Sequence, residues 1–453
     1  MVDFSPLAGA LTGTLLLPDD DGFADELSGF ALAWRHSPAA VVAVDGAPDV
    51  AAVINFAHDN DLPVRTIATG HGAEASITDG IVISTRRLTS VSVDPATRIA
   101  RVGGGADWAA VVEAAAPFGL APVTGSASTV GVTGYLLGGG LGPFARSHGF
   151  SSDWVRGATV VTGEAEVIEA DVDNDPDLLW ALRGGKGGLG VVTEVRIELA
   201  PMPSLYAGNI MFPTEAIEPV LRAWADYTAT AEHDVSTSAV ILRMPPFEFI
   251  PEPIRGKTLL SLRFAYPGDP VEGERLLAPL RAVAPPIADS VRAMPLTEVA
   301  SIHGDPTEPS RSLVRGAMLD AFDQDAVSAL LEVAGAGRDL ALVGVELRHL
   351  GAATATDVPE GSAVGGRGGA FVIGLVGSIA APGSEPAAVA SVDAVLTALA
   401  PWLSSETTVN FVGRFRDAAH YASAWPADTF AKLAAVRRAY DPAGLLPYGF
   451  GAD

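Results

Sequence analysis

Residues 125–142 read Gly125-Ser126-Ala127-Ser128-Thr129-Val130-Gly131-Val132-Thr133-Gly134-Tyr135-Leu136-Leu137-Gly138-Gly139-Gly140-Leu141-Gly142. Almost every residue is small or apolar, and six glycines fall between positions 131 and 142. Backbone without side chains can lie directly against a ligand. The spacing does not fit the G-x-G-x-x-G fingerprint, which opens a helix right after the first strand and has an acidic residue about 20 positions on. No Walker spacing is present either. Glycine-rich turns bind phosphate without both devices, because consecutive backbone N–H groups form an anion nest unaided.

A second turn of this kind lies upstream. Residues 41–44 read as a strand, 50–60 as a helix with apolar positions at 53, 54 and 57, and 63–67 as another strand. Strand, helix and strand within about 30 residues make a βαβ unit. Its last strand runs into Ala68-Thr69-Gly70-His71-Gly72, which puts one imidazole between two glycines. His36, His58 and His233 sit in polar, surface-like contexts, and no histidine pair has metal-ligand spacing on one helix face, so no metal site is expected. Further strands are expected at 80–84, 88–93 and 99–102, with a helix at 108–116. Beyond the glycine segment, 158–161 and 166–170 read as a hairpin. A short helix at 177–182 is capped around Asn174 or Asp175, and 191–199 is a strand.

Pro201-Met202-Pro203 marks a boundary. After it strands alternate with amphipathic helices such as 271–278 and 326–334. The glycine-rich stretch 351–369 is expected to be an exposed loop, and 371–379 a strand. A terminal helix is expected at 429–440, with Lys432, Arg437 and Arg438 suited to a surface face.

Composition narrows the function. A length of 453 residues favours two domains, and 48% hydrophobic residues supply packed cores. The formal charge of −25 disfavours nucleic acid and anionic lipid as partners. With no cysteine in the chain, disulfides, thiolate metal sites and cysteine nucleophiles are excluded. The start, Met1-Val2-Asp3-Phe4, lacks a basic region, and Asp19–Asp21 interrupts the apolar run, so a cytoplasmic location is expected.

Taken together, several segments resemble the FAD-binding domain of the vanillyl-alcohol oxidase superfamily (PCMH-type), in its berberine bridge enzyme-like branch. The resemblance covers about residues 32 to 202. It rests on Asp61-Leu62-Pro63-Val64 followed by Thr69-Gly70-His71, on the 125–142 segment, and on 175–185 running into Gly190-Val191-Val192-Thr193. Lys432 to Pro442 matches the helix with which such chains return to the FAD domain. The implied fold is α+β: a bilobed FAD-binding domain from 1–203 and 404–453, and a substrate domain of 204–403 with an antiparallel sheet covered by helices.

The resemblance implies an FAD-dependent oxidase passing a hydride from a small or medium organic substrate, such as an alcohol or secondary-metabolite intermediate, to flavin N5, with dioxygen reoxidising the flavin. A redox-neutral flavoprotein cyclase or isomerase and a non-catalytic flavin binder are the rival readings. FAD would be held by Ile67, Ala68, Thr69, Gly70, His71, Gly72, Ala73, Gly125, Ser126, Thr129, Val130, Gly131, Gly134, Tyr135, Gly140, Gly190, Val192 and Tyr448, with His71 as a covalent link to the 8α-methyl carbon. A second link from cysteine is ruled out by composition. The family's tyrosine base, in a Tyr-x-Asn pattern, is replaced by Thr408-Val409-Asn410-Phe411, and threonine cannot act as a phenolate-type base. The catalytic candidates are then Tyr421, His420 and Tyr135. Asn410 and Phe411, with Glu346 and Arg348 on one strand face, are candidates for the substrate pocket.

Overall fold

The computed structural model describes residues 2–248 and 250–448. The chain builds three sheets of consequence, two in the flavin-type half and one in the other. In the first lobe, strands Ala40–Ala43, Ile81–Ser84 and Val64–Ile67 pair in parallel, and Thr14–Leu16 closes one edge antiparallel. The near-continuous apolar reading of Ala40–Ala43 and Ile81–Ser84 matches burial on both faces. Helix Ala47–Asp59 carries Pro48 in its first turn, where a missing N–H costs nothing, and buries Val50, Val53, Ile54 and Ala57 along one stripe.

The second lobe is a five-stranded antiparallel sheet in the order Val91–Asp94, Ile99–Gly103, Val191–Glu198, Val155–Val161, Val167–Ala170. The glycine-rich 125–142 segment and the short helix Pro176–Leu182 pack beside it. Asp175 holds the cap position of that helix with φ +52, but its side chain makes no cap bond and instead accepts from the Tyr440 hydroxyl. The cap expectation is therefore corrected in chemistry, though not in place.

Residues from Tyr206 to Ser378 build an antiparallel sheet. Its central order is Tyr206–Phe212, Thr258–Tyr266, Ser236–Arg243, Gly344–His349, Phe371–Ser378, Ser312–Leu319. Strand alternation divides its two faces. Leu260, Leu262, Phe264, Val345, Leu347, Ile373 and Leu375 point to one core, which helices Ile217–Thr228, Pro270–Arg281, Gln324–Ala334 and Glu385–Ala398 cover. Ser238, Arg263, Glu346 and Arg348 alternate with them and occupy the other face.

Two sequence expectations are corrected here. Stretch 351–369 is a loop exposed only in part: Ser362 to Gly366 are buried, and Ala363 donates to the carbonyls of Trp180 and Arg183. Small residues there allow close backbone contact rather than mobility. In the returning helix Ala427–Tyr440, Arg437 turns inward, donating to the carbonyls of Gly187 and Gly185 at 3.0 and 2.7 Å beneath the rings of Trp425 and Tyr448. Lys432 does lie outside, paired with Asp177 at 2.9 Å. The return also reaches the first lobe, where Leu445 and Leu446 join the core and the Leu445 carbonyl accepts from the Val64 amide at 2.7 Å.

Candidate active site

The turn after Val64–Ile67 is held from both sides. Gly70 has φ +71, and a Cβ there would come within 2.6 Å of the Gly29 Cα, so two glycine backbones touch. The strap at 29–32 continues past this contact. Phe30 and Ala31 donate to the carbonyls of Thr69 and Gly70, and Phe30 and Leu32 exchange bonds with Ser310 across the molecule.

Within that frame the His71 ring stacks on Phe30 at 3.9 Å between centroids. Its Nδ1 lies 3.1 Å from Thr69 Oγ1 and its Nε2 3.2 Å from Thr129 Oγ1. Thr69 Oγ1 also accepts from the Gly131 amide at 3.1 Å, which ties the two glycine segments together. Burial pulls His71 down to about 4, so the imidazole is neutral at physiological pH and one ring nitrogen carries a lone pair. No backbone carbonyl among the described residues takes the N–H groups of Gly70, His71 and Gly72, or those from Ser126 to Thr129. Nothing lies within 4 Å of where a Cβ would stand on Gly72 or Gly134. The result is a row of free amide donors on open backbone, suited to an anionic chain.

The expected pocket residues also meet. Asn410 lies against Gly138, where a Cβ would overlap its amide. Its Nδ2 donates to the Tyr135 carbonyl at 2.8 Å, and its Oδ1 accepts from Lys186 Nζ at 2.7 Å. The Arg348 guanidinium lies 5.3 Å from the centre of the Phe411 ring and donates to the Leu141 carbonyl at 3.0 Å. Arg348 and Glu346 bond at 3.0 Å, and Arg263 binds the other carboxylate oxygen. The paired guanidiniums hold Glu346 well below the usual carboxylate range despite its burial. Between this sheet face and residues Leu141 to Ala145 lies a small cleft, partly open to solvent.

Tyr135 stands at the junction. Its ring fills the space over Gly125 and Gly140, and its hydroxyl is buried with no hydrogen-bond partner. Burial pushes it up to about 12, so it is a phenol rather than a phenolate. Tyr448 packs on Gly187, and Gly190, at φ +130, sits beside Val160. Val192 packs into the second-lobe core. Gly449 and Phe450 of the expected tail lie outside the described residues.

Two catalytic candidates are not at this site. Tyr421 is part of the second-lobe core, 7% exposed, ringed by Phe415, Trp425 and Phe430. His420 caps its own short helix region, with Nδ1 accepting from the Arg416 amide. Sequence proximity to Asn410 suggested both, but the chain turns away after Gly413 at φ +71. Thr408 is buried and starts the turn that carries Asn410 and Phe411. Conversely, Arg263, His303, Arg146 and Lys186 escaped the sequence reading. Arg263 alone left a signal, as a charge inside the apolar run Thr258–Tyr266.

A family model described as an FAD-binding domain matches residues 38–171. (R)-6-hydroxynicotine oxidase of Paenarthrobacter nicotinovorans is 29% identical over 98% of this chain and 97% of its own. The crystal structure of 6-hydroxy-D-nicotine oxidase from Arthrobacter nicotinovorans superposes with a TM-score of 0.83 at 26% identity, covering all of both chains. Residues 38–171 thus carry an FAD-binding domain, and the whole chain takes the fold of 6-hydroxy-D-nicotine oxidase. A berberine bridge enzyme-like protein from Physcomitrella patens shares the fold of this flavoprotein, with a TM-score of 0.84 at 16% identity over 99% and 98% of the two chains. The free amides at 70–72 and 126–129, with open backbone at Gly72 and Gly134, suit an anion such as the flavin cofactor's pyrophosphate. Among the described residues of this flavoprotein, no helix is long and apolar enough to cross a membrane.

Proposed function

We propose that the protein is an FAD-dependent oxidase acting on a small organic molecule, with His71 as the single covalent anchor of the cofactor. The observation that carries this reading is the cleft between the polar face of the sheet and the glycine segment following Gly138–Gly140. Bound FAD would supply the hydride acceptor at N5, returning electrons to dioxygen. Amides of 70–72 and 126–129 bind its phosphates, while the neutral His71 ring offers the lone pair that a bond to carbon requires. Asn410, fixed by Lys186 and the Tyr135 carbonyl, holds Phe411 against Arg348 and closes one wall to water. The Tyr135 hydroxyl retains its proton at neutral pH and is a donor, not a base. The hydroxynicotine oxidase relative, similar over its whole length, supports the oxidase class.

The test is spectroscopic. The purified protein should be yellow, and an accepted substrate added without oxygen should bleach the flavin, with hydrogen peroxide appearing on readmission of air. A colourless protein would remove the reading. A yellow one that never bleaches while converting substrate would replace it with a redox-neutral reaction.

A further inference from the structure

Glu346 lies between two guanidiniums, and neither of them is fully used. Arg263 binds one carboxylate oxygen and donates to the His303 carbonyl at 3.2 Å. Arg348 binds the other oxygen, the Leu141 carbonyl, and Ser126 Oγ at 3.4 Å. Each still has a buried Nε–H without a partner, and so do Nδ1 of His303 and Nδ1 of His349. All four residues line the same cleft. Buried polar atoms in folded proteins are nearly always matched, so four unmatched ones around one cleft point to a ligand that matches them.

The charge balance says what kind of ligand. Two arginines line the cleft, Arg263 and Arg348, and a third, Arg146, stands behind it, its guanidinium 3.1 Å from His349 and otherwise bonded to backbone carbonyls. Two carboxylates oppose them, Glu346 and the more distant Asp305. Burial and the neighbouring guanidiniums keep His303 and His349 neutral, each pulled down to about 3. Three cations against two anions leave one positive charge, inside a chain whose net charge is −25. The same cleft has an apolar side at Leu141, Ala265 and Ile302.

We propose that the cleft takes a small substrate bearing a carboxylate, which Arg263 and Arg348 hold while its apolar body lies against Leu141 and Ile302. This deepens the oxidase reading and rests on it for the chemistry, but not for the binding. The rival is an Arg–Glu–Arg triad that only braces the fold, and such triads often add little stability of their own.

Isothermal titration of the full-length protein as purified, with its flavin spectrum recorded alongside, separates the two. Benzoate and benzamide are the probes, matched in shape and differing in charge. Benzoate should bind at least tenfold more tightly. Arg263→Gln should remove that preference while leaving benzamide binding unchanged, with Arg263→Lys restoring part of it. Glu346→Gln, which deletes the competing carboxylate, should tighten benzoate several-fold. Equal binding of the two probes by the wild-type protein overturns the proposal, as does a benzoate preference that survives Arg263→Gln in a folded protein. If Arg263→Gln does not fold, the wild-type comparison and Glu346→Gln decide. Absence of bound flavin with the benzoate preference intact would overturn the oxidase reading and leave this one standing.

Discussion

Lys186 and Asn410, far apart in sequence, meet at 2.7 Å between the ammonium and the side-chain carbonyl. Lys186 lies in the glycine turn of the second lobe with φ +65, and Asn410 on the returning chain. Burial pulls Lys186 down to about 8, while Glu74 opposes the shift. Asn410→Ala leaves that ammonium one acceptor short and takes the side-chain donor from the Tyr135 carbonyl. The expected cost is about 1–3 kcal/mol, read as a lower urea midpoint, with Asn410→Asp restoring part of it. An unchanged midpoint would show that the contact contributes nothing.

His71→Ala should leave a protein that holds FAD when native and releases it on acid precipitation, whereas the parent keeps the colour in the pellet. Thr129→Val removes the hydroxyl beside Nε2 and should slow attachment without abolishing FAD binding. Colour retained in the His71→Ala pellet would assign the anchor elsewhere.

Gly70→Ala tests the frame rather than the chemistry. The new methyl would meet the Gly29 Cα and would also need a left-handed backbone. Together these cost on the order of 1–3 kcal/mol, and FAD content should fall with stability. Serine at Gly72, where nothing is close, is the matched control and should be tolerated.

Tyr421→Phe should retain activity within about twofold. The hydroxyl is buried and unbonded, so its loss removes no hydrogen bond. A fall of a hundredfold or more would restore Tyr421 as a reacting group.

The sequence disclosed the cofactor half far better than the substrate half. Glycine turns and His71 act locally, through backbone conformation and spacing, so they are legible in one dimension. Glu346 and Arg348 were also legible, because two residues apart on a strand means one face. Arg263 and His303 complete that cluster from other elements, 83 and 43 residues away from Glu346 in sequence. Only the register of Thr258–Tyr266 and Ser236–Arg243 brings Arg263 there. Tyr421 and His420 lie apart from this cluster for the opposite reason: nearness to Asn410 in sequence is not nearness in space.

Acid should destabilise the protein through its buried imidazoles. His303 and His349 have pKa values of about 3 when folded, against 6.5 for the ordinary group. Below about pH 6.5 the unfolded chain takes up protons that the folded one refuses. Stability is therefore full above 6.5 and is lost as pH falls towards about 3, by up to ~1.4 kcal/mol per pH unit for each histidine. Glu346, with its depressed pKa, adds loss in the same direction as it protonates. Urea midpoints taken between about pH 7 and 4 should fall steadily, and His349→Gln should flatten the slope.

The return of the chain through Trp425, Leu433 and Leu446 has a consequence for biosynthesis. Trp425 donates to the Gly184 carbonyl, Leu433 lies in the second-lobe core, and Leu446 in that of the first. Every cofactor loop in residues 67–142 leaves the ribosome before the residues that complete both cores. The nascent chain thus waits, with its glycine turns made but unsupported, until the last stretch is translated. A stop codon after residue 404 would spare every cofactor loop in 67–142 and still yield no flavoprotein.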